Sequence, residues 1–213
     1  MSQRLALDLA RDLAGLERPP APHSVSLMNS SEDLIRRART GDQDAFRLIF
    51  ERYARPVLSF IHDLVGQRDL AEELVQETFV RAYKSLKNVR DETKLASWLF
   101  GIGRNVAREA IRARQKENKN CIDSDFSNGG VEDNTQVSPA QNLLQKEMNQ
   151  AMHSALALLD EDWRTIFVLK VFHQCSYQEI ADITGFSLAK IKTDLHRARL
   201  QVRRRMRPFL ETK

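Results

Sequence analysis

A run of basic side chains near the C-terminus gives the clearest chemical signal in this sequence. From Lys190 to Arg207 the sole acidic residue is Asp194, and the basic residues are Lys190, Lys192, Arg197, Arg199, Arg203, Arg204, Arg205 and Arg207. A helix of this composition binds DNA phosphates, and in the major groove its side chains reach base edges. The pattern therefore predicts nucleic-acid binding.

The residues before this run have the spacing of a helix-turn-helix. That motif needs a small residue where its helices nearly touch, a residue tolerant of positive φ four positions later, and a branched apolar residue six further on. Ala181, Gly185 and Ile191 meet these demands. Ser176 and Glu179 have the spacing of a capping box, and a serine two residues after Gly185 can cap the second helix. The alternative interpretation is that the terminal helix is simply exposed to solvent and that the Ala-x-x-x-Gly spacing occurs by chance.

Composition indicates a helical protein. The chain has 213 residues, of which 42% are hydrophobic, enough for one or two small domains. Aromatic residues and glycines are few, whereas Ala, Leu, Glu, Arg and Lys are frequent, so an all-α fold is expected. The formal net charge is only +4, and the clustering of basic residues is more informative than their excess. No apolar run approaches the length of a membrane span.

The cysteines and possible nucleophiles give no sign of catalysis or metal binding. Cys121 and Cys175 lie far apart without CxxC or Cys/His spacing, which argues against a disulfide framework or zinc site and fits a reducing cytosol. No paired nucleophile and base and no glycine-rich phosphate loop are present. We expect no catalytic residue, no cofactor and no metal, and we expect both thiols to be inert.

Residues 31–114 are predicted to form one helical domain. Residues 1–30 are expected to be a flexible extension, because ERPPAPHS breaks their leucine pattern. Apolar residues from Phe46 to Val65 form a wide stripe typical of a helix that faces a core, and Gly66 is predicted to end that helix.

The following helix is predicted to carry an acidic patch in its first turns. Its polar residues are Asp69, Glu72, Glu73, Gln76 and Glu77. Acids at a helix start suit the helix dipole, so a well-capped helix explains them. The same spacing also leaves an acidic face that could dock on a basic partner, and both interpretations remain open.

A second basic helix follows the polar loop 90–94. Its basic residues are Arg104, Arg108, Arg112 and Arg114. A basic face beside a loop can track a nucleic-acid backbone, and Asn105 could read a base edge. Trp98 is equally well explained as part of the core.

Residues 115–139 are predicted to be a flexible linker. This segment contains turn formers, a Gly129-Gly130 pair and several acids, and it cannot bury a core. A second helical domain is expected over residues 140–213, with an apolar stripe that starts after Ala140.

Three of these segments occur together in one known family. DLAEELVQETFVRAYKSL, WLFGIGRNVAREAIRAR and SYQEIADITGFSLAKIKTDLHRARL resemble, in order and spacing, the extracytoplasmic-function (group 4) sigma factors of the sigma-70 family. The resemblance implies a sigma-2-like domain and a sigma-4-like helix-turn-helix domain, joined by the linker. It also implies a cytoplasmic, non-enzymatic factor that directs core RNA polymerase to promoters and helps to melt the minus-10 element.

The resemblance further implies which residues contact each partner. The polymerase β′ clamp would dock on Asp69, Glu72, Glu73, Gln76 and Glu77. The melted minus-10 strand, with an extruded base, would contact Lys94, Ser97, Trp98, Arg104, Asn105 and Arg108. The minus-35 duplex would contact Ser187, Lys190, Lys192, Thr193, His196, Arg197 and Arg199. The β flap and a cognate anti-sigma factor are the other implied partners, and the protein is not expected to insert into a membrane.

Two positions depart from the family pattern. Asp194 stands where the family commonly has a basic residue, which puts one phosphate contact in doubt. Leu159-Asp160 replaces the usual Leu-Pro, and we expect only a changed turn. A third position, His196, either contacts a base or packs against the neighbouring helix.

Two other classes of protein remain open. A stand-alone helix-turn-helix regulator accounts for the C-terminus but leaves the acidic helix and the first basic helix without a role. Specific duplex binding without polymerase would favour it. An enzyme acting on nucleic acid would need an acidic cluster beside a nucleophile, which the sequence does not offer.

Overall fold

The chain is helical throughout the part that the structure describes. The computed structural model describes residues 28–89, 94–120 and 139–210 and has no strand in those ranges. Their eight α-helices are α1 Met28–Arg39, α2 Gln43–Val65, α3 Arg68–Ser85, α4 Leu95–Asn120, α5 Pro139–Ala157, α6 Glu161–Phe167, α7 Tyr177–Thr184 and α8 Leu188–Leu210. The predicted all-α class is confirmed.

Helix α2 is the centre of the first domain and packs against α1, α3 and α4. The predicted apolar stripe is its buried face, where Val57 and Phe60 are fully enclosed. Asp42 caps the start of α2 by accepting a hydrogen bond from the Ala45 N–H at 3.0 Å. Gly66 ends the helix as predicted, with a left-handed φ of 74°.

Two boundaries of the first domain differ from the prediction. Helix α1 begins at Met28, so residues 28–30 of the expected flexible extension are helical. Helix α4 continues to Asn120, so residues 115–120 are helical instead of opening the linker. Their sequence QKENKN contains good helix formers and no glycine or proline, and a polar composition fits an exposed helix as well as a linker. The rest of the extension and of the linker, with Cys121, lies outside the described residues.

Local hydrogen bonds define the turns of the second domain. Asp160 caps α6 by accepting from the Asp162 N–H at 2.9 Å, so the residue that replaces the usual proline supplies a cap. A π-helical turn, Val168–Phe172, follows α6. The predicted capping box is present at the start of α7, where the Glu179 N–H donates to Ser176 Oγ at 3.1 Å and the Ser176 N–H donates to Glu179 Oε2 at 2.7 Å.

Helices α7 and α8 form the predicted helix-turn-helix. Gly185 adopts a φ of 74° and donates its N–H to the Ala181 carbonyl at 2.8 Å. Ile191 is fully buried beneath the turn. The three residues that predicted the motif therefore have the conformations and burial that it requires.

The two domains pack directly against each other. Helix α4 lies against α7, and α2 contacts both α5 and the π-helical turn. At the centre of this interface the His173 ring lies 5.7 Å from the Phe60 ring and 6.1 Å from the Phe100 ring. His173 Nε2 is 2.9 Å from Asp63 Oδ2, and both side chains are buried. One hydrophobic core thus continues across both domains, which the prediction of two domains on a flexible linker did not include.

Candidate nucleic-acid interface

One side of α3 is an exposed acidic surface, defined by Asp69, Glu72, Glu73, Gln76 and Glu77. All five residues are exposed, while Ala71, Val75 and Phe79 on the other side are buried. Helical spacing accounts for this division, because residues three and four apart share a face. The structure therefore brings the five predicted docking residues together.

Ion pairs link this acidic surface to α4. Glu77 pairs with Arg81 at 2.7 Å, and Arg81 also pairs with Glu109 of α4 at 2.8 Å. The hydrogen bonds that Arg81 donates to Glu109 and to Glu77 raise the pKa of Arg81. In turn, the hydrogen bond to Arg81 lowers the pKa of Glu109. Because these side chains are largely exposed, the pairs contribute little stability and mainly orient the side chains.

The predicted minus-10 residues follow one another along the start of α4 but differ in exposure. Lys94 and Asn105 are exposed, Ser97 and Arg108 are half-buried, and Arg104 is only 6% exposed. Trp98, also half-buried, packs against the hydrophobic core. This position agrees with the interpretation of Trp98 as part of the core.

Three arginines of α4 contact the second domain, although they differ in exposure: Arg104 is buried, Arg108 half-buried and Arg112 exposed. We call Arg104, Arg108 and Arg112 the α4 basic face. Arg108 and Arg112 both contact Glu161 Oε2, with Nη2 atoms at 3.0 and 2.8 Å. Arg104 Nη2 is 3.6 Å from Asp162 Oδ1, and its guanidinium lies over the Phe186 ring with Cζ 5.1 Å from the centroid.

Burial and ion pairing shift the pKa values of these groups in different directions. Burial lowers the pKa of Arg104, and the neighbouring Arg108 charge adds to that effect. The hydrogen bond to Glu161 raises the pKa of Arg112. Burial alone would raise the pKa of Glu161, but hydrogen bonds and charges from Arg112 and Arg108 lower it overall.

The predicted minus-35 residues lie at the start of α8 and in the turn before it. The Ser187 hydroxyl accepts from the Lys190 N–H at 3.3 Å, as predicted for a cap. Exposed members of the set are Ser187, Lys192, Thr193, His196 and Arg197, whereas Lys190 and Arg199 are half-buried. This exposed row on the second helix of the motif is the geometry that major-groove recognition needs.

Burial places Asp194 and His196 on opposite sides of α8. Asp194 is 4% exposed and accepts a hydrogen bond from Lys190, so it faces the protein interior. Asp194 therefore pairs with Lys190, one of the predicted minus-35 contacts, and the effect of this departure on phosphate binding stays a prediction. His196 is exposed, which excludes packing against the neighbouring helix in this conformation.

Sequence reasoning missed the role of Glu161 and Asp162. The sequence patterns described above assign no role to either residue. A pair of acids beside Trp163 was a visible signal, but its partners lie more than forty residues away in the chain.

Three further features of the described residues concern their chemistry. Burial raises the pKa of the Cys175 thiol to about 12, which supports the prediction that it is inert. Among the described residues, no cluster of three or more His, Cys, Asp or Glu side chains could hold a metal ion. None of the helices described is long and apolar enough to cross a membrane.

Two family models match the chain in order. The model for sigma-70 region 2 matches residues 49–117, and the model for sigma-70 region 4 matches residues 149–202. The first match spans most of α2 through α4, and the second contains the helix-turn-helix. The two matched regions define the class of protein, a transcription initiation factor of the sigma type.

The matches to related proteins span nearly the full length of those proteins. The RNA polymerase sigma-H factor of Pseudomonas aeruginosa is 28% identical over 84% of this chain and 95% of its own. The ECF RNA polymerase sigma-E factor of Haemophilus influenzae is 26% identical over 85% of this chain and 97% of its own. The chain belongs to the sigma-70 family, among its extracytoplasmic-function members.

Solved structures show the same fold. The sigma factor RpoE of Bartonella quintana, solved with the anti-sigma factor NepR, has a TM-score of 0.60 at 25% identity, covering 76% of this chain and 96% of that one. CnrH, solved with the cytosolic domain of CnrY, has a TM-score of 0.59 at 24% identity, covering 81% and 94%.

Proposed function

We propose that this protein directs core RNA polymerase to specific promoters and helps to open the minus-10 element. The observation that carries the proposal is the placement of three charged surfaces on three separate helices. The acidic surface is on α3, while basic surfaces are on α4 and α8, one in each matched sigma region. A stand-alone regulator would need only α8.

Each surface is assigned one partner. The acidic surface docks on the β′ clamp of core polymerase, because five exposed polar residues, four of them acidic, fit a basic partner. The minus-10 strand contacts α4 and the minus-35 duplex contacts α8, at the residues predicted from sequence. Capture of an extruded base favours the melted promoter without covalent chemistry.

Promoter specificity then comes from joint binding. Residues 31–114 and 140–213 act as the two DNA-binding domains, with residues 115–139 between them. Attachment to one polymerase raises the effective concentration of each domain for its own promoter element. Phosphodiester synthesis belongs to the polymerase, so the protein itself is not an enzyme, and its place of action is the cytoplasm.

Two further partners are part of the proposal. The β flap of the polymerase contacts the second domain. A cognate anti-sigma factor holds the protein inactive, a proposal supported by RpoE, a similar protein that was solved with such a factor.

Run-off transcription tests the proposal. Purified protein and sigma-free bacterial core polymerase are incubated with genomic fragments from the source organism, and transcripts are mapped. Wild-type protein is expected to produce discrete new start sites. The variant Glu72→Lys, Glu73→Lys is expected to reduce them at least roughly tenfold, because like charges then face the basic partner.

A matched variant controls for charge. Glu51→Lys, Glu147→Lys makes the same change at two exposed glutamates outside the acidic surface and is expected to transcribe normally. If polymerase gains no new start sites while the protein alone shifts particular duplexes, the stand-alone regulator replaces this proposal.

A further inference from the structure

The packing of the two domains covers part of the α4 surface that DNA would contact, where Arg104 is buried and Arg108 half-buried. We infer that Glu161 and Asp162 form an autoinhibitory contact, in which they occupy the α4 basic face in place of DNA phosphates. The two domains must then separate before a promoter strand can bind. This inference rests on the proposed function, because it takes α4 as the strand-binding helix.

Glu161 binds arginine as a phosphate would. Its carboxylate accepts from Arg108 Nε at 3.1 Å and from Arg112 Nη2 at 2.8 Å. Charge-assisted bonds of this length from two guanidinium groups are typical of phosphate recognition by arginine. A strand phosphate cannot contact the same guanidinium atoms while Glu161 is in place, so the two ligands exclude each other.

Asp162 extends the contact to the recognition helix. Its carboxylate lies 3.6 Å from Arg104 Nη2 of α4 and 3.3 Å from Lys190 Nζ of α8. One acidic residue thus sits between a basic side chain of each DNA-binding surface. Closure consequently lowers the positive potential of both surfaces at once.

Helix α7 covers the start of α4. A Cβ atom added at Gly101 would lie 3.4 Å from the Ile183 carbonyl oxygen, so the two backbones are in close contact there. Lys94 pairs with Asp182 of α7 at 3.0 Å. No space for a nucleic-acid strand remains between these helices.

The interface between the domains also contains buried polar atoms that lack a hydrogen-bond partner when the domains are packed together. Arg104 Nε and Nη2 and Asp162 Oδ1 are buried without a hydrogen bond. A buried charge without its full set of hydrogen bonds opposes closure, while the apolar contacts of Phe60 and Phe100 with His173 favour it. A polymerase and promoter that bind only the separated domains can therefore shift the equilibrium.

The test compares compactness with strand binding for the protein alone. The variant Glu161→Gln, Asp162→Asn keeps the side-chain shapes and the Asp160 cap but removes both charges. Small-angle X-ray scattering gives the radius of gyration, and fluorescence anisotropy gives the affinity for a labelled 20-nucleotide single strand of mixed sequence. We expect the variant to be larger and to bind the strand at least roughly tenfold more tightly, because the binding-competent fraction rises.

Two further variants separate opening from charge. Asp44→Asn, Glu51→Gln also removes two carboxylates, one of them in the first turn of a helix, but outside the interface; it is expected to match wild type. Gly101→Leu places a side chain against the α7 backbone without altering charge, and it is expected to expand the molecule and strengthen strand binding.

The outcomes are decisive in either direction. Expansion together with tighter binding, absent in the control, supports the inference. An already extended wild type, expansion without tighter binding, or tighter binding without expansion overturns it. Run-off transcription by the wild-type protein distinguishes failure of this inference from failure of the proposed function. Polymerase-dependent start sites test the proposed function, and they do not require that the free protein be closed.

Discussion

Acidic side chains play different parts in the second domain, and their surroundings decide which. Asp160 caps α6 through a backbone N–H. Asp194 is buried on the inner side of α8 and pairs with Lys190. Glu161 binds two arginines of the other domain. Each role depends on which groups lie within hydrogen-bond reach, so a substitution has to be judged from those contacts and not from the charge alone.

At the turn of the helix-turn-helix, backbone conformation decides the effect of a substitution. Gly185 has a φ of 74°, and no atom lies within 4 Å of a Cβ added there. We expect Gly185→Ala to lower the free energy of unfolding by roughly 1 kcal/mol, since the left-handed conformation disfavours a Cβ. Urea unfolding followed by circular dichroism measures this loss.

Asparagine at the same position is the control. Asn tolerates the left-handed region better than Ala, so Gly185→Asn is expected to lose less stability. Equal losses for the two variants would mean that the backbone conformation is not the cause.

At the scale of the element, the two halves of α8 are expected to differ in their contribution to DNA binding. The exposed residues Lys192 and Arg197 lie near the start of α8, the part of a recognition helix that contacts DNA most closely. Lys192→Ala, Arg197→Ala is expected to weaken binding to a mapped minus-35 duplex and to reduce the salt dependence by about one ion per lost phosphate contact.

The C-terminal half of α8 provides the matched variant. Arg203→Ala, Arg205→Ala removes the same charge from two exposed positions. Affinity measured by anisotropy at several salt concentrations should change less than for the first pair. A larger change would place the duplex against the C-terminal half instead.

Elements set by local spacing were predictable from sequence, and those set by distant partners were not. The capping box of Ser176 and Glu179 and the end of α2 at Gly66 depend on groups within a few residues. The burial of Arg104 depends on Phe186 and Asp162 in the other domain. Polar composition also failed to distinguish the last turns of α4 from a linker.

At the scale of the whole molecule, the balance between closed and open forms links the chemistry of single residues to access by DNA. The closed form joins the domains through the buried His173 and Asp63 pair and through Glu161. Among the described ion pairs, the acidic surface on α3 makes none with the second domain: Glu72 pairs with Arg68 and Glu77 with Arg81, both in the first domain. Under the proposed function, polymerase docking on this surface is compatible with either form, whereas strand binding requires the open one.

Acid is expected to open the molecule through Glu161. Burial would raise the pKa of this carboxyl, but its arginine partners hold it below the ordinary value of 4.5 in the closed form. In the open form the pKa returns toward 4.5, so the contribution of Glu161 to closure is present above that pH and is lost as the pH falls through the closed-form value. The radius of gyration should therefore rise below about pH 4.5, while circular dichroism confirms that the helices persist. Glu161→Gln should remove this rise, and an identical pH response in wild type and variant would show that another group controls opening.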